Sequence, residues 1–206
     1  MSNKGVITVI SGFSGAGKGT IVKKLVEQYG YMVSISATTR SPRAGEEEGV
    51  HYFFKSREEF EEMIRGEKLI EYAKYVDNYY GTPKDYVMDK IAQGIDVILE
   101  IEMQGALQIK ERFPEVQLVF ITPPDAETLR QRLEGRGTET REVIEQRLAR
   151  AAEECDYMDK YDYIVVNDDL DTCVQQVHHL IQSVHLSREY QQEQIAKMRQ
   201  GFGLAD

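Results

Sequence analysis

The sequence predicts an α/β fold, a parallel sheet flanked by helices, with an inserted subdomain. Three observations predict it. Short apolar, β-rich runs alternate with helical segments along most of the chain, as strands buried on both faces of a sheet require. The first of these runs passes through a glycine-rich loop into a helix. Between residues 38 and 82 the alternation breaks off. A chain of 206 residues is expected to form a single domain with insertions and a large core.

Taken in order, residues 6–11 form the first strand and Lys18–Tyr29 the first helix, closed by Gly30. Residues 32–36 read as a second strand. The interrupting block holds Tyr52-Phe53-Phe54, a helix opened by a Ser56/Glu59 capping box, and a β-rich piece at residues 69–76. Phe60, Met63 and Ile64 share one face of that helix. Thr82 is the expected N-cap of a helix over residues 83–93. Strands then follow at residues 97–102, 116–122 and 162–166, separated by helices at 104–112, 125–133 and 140–154. Residues 170–198 are mostly helical, with Val174, Val177, Ile181 and Val184 on one face, and the tail frays from Gly201.

Bulk properties exclude several classes. A net charge of −10 without a long basic run argues against general nucleic-acid binding. No apolar run approaches a bilayer's thickness, so no membrane partner is expected. The first five residues are too short for a signal peptide. Cys155 and Cys173 lack metal or redox spacing, which suits a reducing cytoplasm. Oligomeric state, monomer or homo-oligomer, is undecided.

The loop Gly12-Phe13-Ser14-Gly15-Ala16-Gly17-Lys18-Gly19-Thr20 carries the most chemistry. Backbone N–H groups turned inward by such a loop, with a helix N-terminus behind them, cradle anions. Lys18 adds a mobile charge, and the spacing fits the phosphate-loop pattern of nucleoside triphosphate sites. The fold class is therefore a P-loop NTPase-type sheet. Gly19 departs from the pattern, which asks there for the hydroxyl that Thr20 supplies one place late.

Four further clusters are ambiguous singly. Arg40 and Arg43 flank Pro42, which could make an anion clamp, although alone the pair favours a solvated basic loop. Glu71 with Asn78-Tyr79-Tyr80-Gly81-Thr82 offers acceptors and stacking faces, or a hairpin with an aromatic cluster. Glu100 and Glu102 tip an apolar strand, where an acid helps hold Mg²⁺ in phosphate-loop enzymes, or where a strand simply ends polar. Arg130, Arg132, Arg136, Arg141, Arg147 and Arg150 surround a glycine-flanked loop, as a closing lid or as a charge-laced helix pair. Arg130 and Arg150 fit the charge-laced pattern.

Together these motifs are more specific. The phosphate loop, Ser36-Ala37-Thr38-Thr39-Arg40-Ser41-Pro42-Arg43, Asn78-Tyr79-Tyr80-Gly81-Thr82, Glu102-Met103-Gln104-Gly105, Leu133-Glu134-Gly135-Arg136-Gly137 and Val166-Asn167-Asp168-Asp169 occur in this order. The chain resembles guanylate kinases over residues 6–181. The resemblance implies phosphoryl transfer from ATP to GMP with Mg²⁺, in a single domain spanning residues 1–206. Its core would be residues 5–37, 83–129 and 155–200, its GMP-binding insertion 38–82 and its lid 130–154. Arg40, Arg43, Tyr52 and Tyr80 would grip the GMP phosphate, and Ser36, Glu71, Thr82 and Glu102 would read guanine. Gly12 to Thr20, with Arg132, Arg136 and Asn167, would hold ATP. Lys18, Arg40, Arg136 and Arg147 would act on the transferring group, and Glu100 on Mg²⁺ through water. The nucleophile, a phosphate oxygen, is already anionic, so no general base is needed.

The same fold also serves as a peptide-binding module in scaffold proteins. Lys18, Arg136, Arg40 and Arg43, all present here, argue for the enzyme. A kinase of another small acceptor is the remaining alternative, against which Glu71, Thr82 and Tyr80 favour guanine.

Overall fold

The computed structural model describes residues 4–75, 77–135 and 140–204. At its centre are β1 (Ile7–Gly12), β2 (Met32–Val33), β7 (Val97–Glu100), β8 (Gln117–Thr122) and β9 (Tyr163–Val166). They form a five-stranded sheet of order β2-β7-β1-β8-β9, all parallel. Its helices are α1 (Lys18–Tyr29), α3 (Lys84–Ala92), α4 (Met103–Arg112), α5 (Ala126–Glu134), α6 (Arg141–Cys155) and α7 (Leu170–Val184). β1 reads Ile-Thr-Val-Ile and is buried on both faces, as a central parallel strand must be. Val174, Val177 and Ile181 of α7 join Ile21 and Leu25 of α1 in the same core.

Residues 37–83 build a second sheet. Its strands β3 (Ala37–Thr38), β4 (Phe53–Phe54), β5 (Leu69–Tyr75) and β6 (Asn78–Pro83) take the order β4-β3-β6-β5. Helix α2 (Arg57–Arg65) begins with the expected capping box between Ser56 and Glu59. Phe60 is fully buried and stacks on Tyr79 at 5.3 Å, closing a small separate core with Ala37 and Leu69.

Three boundaries differ from the sequence reading. The strand read at residues 32–36 ends at Val33: β2 joins the central sheet, residues 34–36 belong to no strand, and β3 of the inserted sheet begins only at Ala37. Thr82 does not cap α3. Pro83 occupies that position and the Thr82 hydroxyl turns inward to a carboxylate. The C-terminal helix breaks after Val184, and a separate α8 (Gln192–Gly201) follows. Among the described residues, no helix is long and apolar enough to cross a membrane.

Candidate active site

The phosphate loop lies between the C-terminal end of β1 and α1, the edge where parallel sheets bind ligands. Gly17 takes φ 93° at the N-cap of α1, and no described side chain caps the helix. The first N–H groups of α1 therefore face the cleft, as an anion site requires. A Cβ on Gly17 would sit 2.5 Å from Asn167 Nδ2, so this position admits only glycine. Lys18 Nζ donates to the carbonyls of Gly12 (2.6 Å) and Phe13 (3.0 Å), holding the loop around its own ammonium. Phe13 itself is buried, edge-on to Phe120 at 4.9 Å, so only its backbone serves the site.

Two more sequence-predicted residues brace this loop. Asn167, 6% exposed, donates through Nδ2 to the Ala16 carbonyl at 2.8 Å. Arg132 in turn donates to the Asn167 carbonyl at 2.8 Å. Arg147, on α6, reaches the opposite lip and donates to Ser14 Oγ at 2.8 Å. Arg136 lies outside the described residues.

The second half of the site is built by the inserted sheet against α4. Glu71 on β5 is 5% exposed and accepts from the Thr82 hydroxyl at 2.7 Å. Burial pushes its carboxyl up to about 7, with the Thr82 hydrogen bonds opposing. Gly105 in the first turn of α4 makes that placement possible, since a Cβ there would meet Glu71 Oε2 at 2.7 Å. Ser36, Tyr80 and Gly81 line the same cavity of about 290 Å³.

Arg40 and Arg43 stand on the loop beyond β3. The Arg40 guanidinium lies 5.4 Å over the Tyr52 ring, and Tyr52 meets Tyr80 edge-on at 6.2 Å. The sequence reading missed Glu46. Its Oε1 and Oε2 accept from Arg40 Nη2 (2.8 Å) and Nη1 (2.9 Å), and Oε2 also from the Arg43 backbone N–H (2.7 Å). The Arg40 pair and the Arg43 hydrogen bond hold the Glu46 carboxyl down at about 2. The available signal was a carboxylate after Gly45, at the end of the loop that carries both arginines.

A cleft of about 450 Å³ lies along the loop, bounded by Lys18 and Ser14. Tyr52, Glu100, Ile101 and Glu102 line both it and the Glu71 cavity, so the two spaces adjoin. Glu100 is raised in pKa by desolvation, opposed by the Lys18 charge. A Cβ on Gly19 would lie 3.9 Å from Glu100 Oε1. The absent side chain thus leaves room rather than avoiding a clash. Among the described residues, no group of three or more His, Cys, Asp and Glu side chains is arranged to hold a metal ion. A Mg²⁺ carried by phosphates and water needs no such cage.

Arg150 corrects the sequence reading. It pairs with Glu154 along α6 at 3.2 Å, but it also donates to Glu102 Oε2 at 2.9 Å across the cleft. Arg130 pairs not along α5 but across to α6, donating to Glu145 at 2.6 Å. His185 bonds Asp96 and His178 bonds Tyr31, and neither lines the two cavities; His51 Nδ1 accepts from the Glu47 N–H on the loop that carries Arg40 and Arg43.

Comparison with known proteins is consistent with this arrangement. The sequence model of the family described as guanylate kinase matches residues 4–184. A curated guanylate kinase of Bacillus cereus is 50% identical over 203 residues, covering 98% of this chain and 99% of that one. Another, from Caldanaerobacter subterraneus, is 52% identical over 182 residues, 88% of each chain. The crystal structure of guanylate kinase from Anaplasma phagocytophilum superposes with a TM-score of 0.72 at 33% identity, covering 90% of this chain and 89% of that one.

Proposed function

The chain belongs to the guanylate kinase family and carries out ATP-dependent phosphorylation of GMP to GDP, and we propose that the two adjoining cavities divide its substrates. The observation that carries this reading is the sharing of Tyr52, Glu100 and Glu102 between a lysine-bearing loop cleft and a cavity floored by Glu71. ATP phosphates lie along Gly12 to Thr20, and Lys18 leaves the Gly12 and Phe13 carbonyls to follow them. GMP lies against the inserted sheet, its phosphate between Arg40, Arg43, Tyr52 and Tyr80.

Glu71, with Ser36, Thr82 and Glu102 around it, reads the base. Its carboxylate accepts from both N1–H and the 2-amino group of guanine. Adenine offers neither, so AMP would leave a buried carboxylate unpaired. Residues 130–154 act as a lid, with Arg132, Arg136 and Arg147 bringing charge to the γ-phosphoryl group as it loosens. The GMP phosphate oxygen attacks in line without a base. Positioning and water exclusion are the protein's work. Mg²⁺, when bound, neutralises charge on the β- and γ-phosphates. Glu100 would hold one of its waters, in the space that Gly19 leaves.

ADP release measured with GMP, AMP, CMP and UMP tests the acceptor assignment. Turnover confined to GMP is expected. Comparable turnover with AMP would overturn the role of Glu71.

A further inference from the structure

We propose that Glu46 is a positioning residue for the acceptor phosphate: it clamps Arg40 and the Arg43 backbone so that one edge of the Arg40 guanidinium faces the phosphate position. The proposal rests on the reading of Arg40 as a GMP-phosphate ligand.

A guanidinium has five N–H groups, and in Arg40 their partners can be counted. Both Nη1 hydrogens are engaged, one with Glu46 Oε2 and one with the Ser41 carbonyl at 2.7 Å. One Nη2 hydrogen goes to Glu46 Oε1. The two remaining donors, on Nε and Nη2, form the side-on fork of the group, the geometry that grips two phosphate oxygens at once. The Tyr80 phenol hydrogen-bonds to Arg40 as well, and the Tyr52 ring lies under the guanidinium; both tyrosines line the Glu71 cavity, which puts Arg40 beside it. The side chains of Arg40 and Glu46 are only 14% and 18% exposed, so water competes little for the clamp. Glu46 also closes the loop on itself. Its Oε2 takes the Arg43 N–H, and its own N–H returns to the Arg43 carbonyl at 3.0 Å. A long arginine free to sample rotamers would have to be ordered by GMP at each binding event, and the clamp removes that cost in advance.

Simple electrostatics predicts the opposite sign. A carboxylate beside a dianion site repels the ligand, so its removal should tighten GMP. Glu46→Gln keeps the shape and removes the charge, and therefore separates the two accounts. With positioning, GMP KM rises about tenfold and kcat falls by less than that. Glu46→Asp, which keeps the charge but shortens the reach, falls between Glu46→Gln and the parent. ATP KM and the inhibition constant of guanosine, which lacks the phosphate, stay within twofold. An unchanged or lower GMP KM in Glu46→Gln overturns the proposal. So does an equal rise in ATP KM or in the guanosine constant, which would mean general loosening. Arg40→Met, assayed in parallel, keeps the two levels apart. If it leaves GMP KM unchanged, the phosphate-site reading itself fails. If it raises KM while Glu46→Gln does not, only the role of Glu46 fails.

Discussion

Glu71→Gln is the perturbation with the clearest sign, because it should stabilise the protein while removing its specificity. The Glu71 carboxyl titrates at about 7 in the fold, against 4.5 for an unburied glutamate. A tenfold change in proton affinity is worth about 1.4 kcal/mol, so ionised Glu71 costs the empty protein about 3 kcal/mol. The folded pKa is raised, so this cost is absent below 4.5, grows as pH rises, and is complete above 7. Gln cannot ionise and still accepts from the Thr82 hydroxyl through its amide oxygen. Thermal unfolding at pH 8 should therefore show a Tm higher by roughly 5–10 °C in the variant, and near pH 4.5 the two should converge. Activity moves the other way. The new amide turns a donor toward the two donors of guanine, losing charge-assisted hydrogen bonds worth about 1.5–3 kcal/mol each. GMP kcat/KM should fall by roughly 10²–10⁴, while AMP, which shares the phosphate but not the donors, changes little. A variant less stable than the parent at both pH values would refute the desolvation argument. A variant that keeps its preference for GMP over AMP would refute the assignment of guanine to this carboxylate.

Three other changes follow from the geometry. Gly105→Ala places a methyl within 2.7 Å of Glu71 Oε2, so it should raise GMP KM well above any change in ATP KM and cost about 1–3 kcal/mol in denaturant unfolding. Lys18→Ala should lower turnover by about 10²–10³ with GMP affinity by calorimetry nearly unchanged; an equal loss of GMP affinity would mean that the donor and acceptor cavities are misassigned. Arg150→Ala removes an exposed contact to Glu102, so a rise of about two- to fivefold in GMP KM is expected, disappearing in roughly 1 M salt.

What the sequence made legible follows from the range of the interactions involved. The phosphate loop was readable because glycines, Lys18, a preceding strand and a following helix are neighbours in the chain. The capping box of α2 was readable for the same reason. Thr82 was misread as a cap because a threonine before a proline satisfies a local rule, whereas its partner Glu71 lies on the adjacent strand. Arg150 was misread in the same way. Its i, i+4 partner Glu154 is visible in sequence, and Glu102, which lies 48 residues away, is not. The early end of β2 at Val33 and the passage of the chain at Ala37 into a second sheet were hidden because residues 32–38 are β-prone throughout, and only tertiary pairing separates β2 from β3. Arg136, the foremost lid arginine by sequence, falls outside the described residues, and its role rests on the family resemblance.

The acceptor side poses an electrostatic problem for a chain of net charge −10. The proposed site for a dianion contains Glu46, Glu71, Glu100 and Glu102. The structure mutes each of them differently. Glu46 stays ionised but shares its charge with Arg40 and the Arg43 N–H. Glu71 is desolvated until it is about half protonated at neutral pH. Glu100 faces Lys18, and Glu102 is paired with Arg150. The empty cavity is thus far less negative than its composition suggests. Near neutral pH, full negative charge at Glu71 returns only when a ligand supplies N–H donors that favour the carboxylate. Guanine does so and adenine does not, so the same burial that raises the pKa of Glu71 makes the wrong base bear the cost of ionising it. Specificity for guanine should therefore sharpen as pH rises through about 7, with GMP binding releasing a fraction of a proton per site that AMP binding does not.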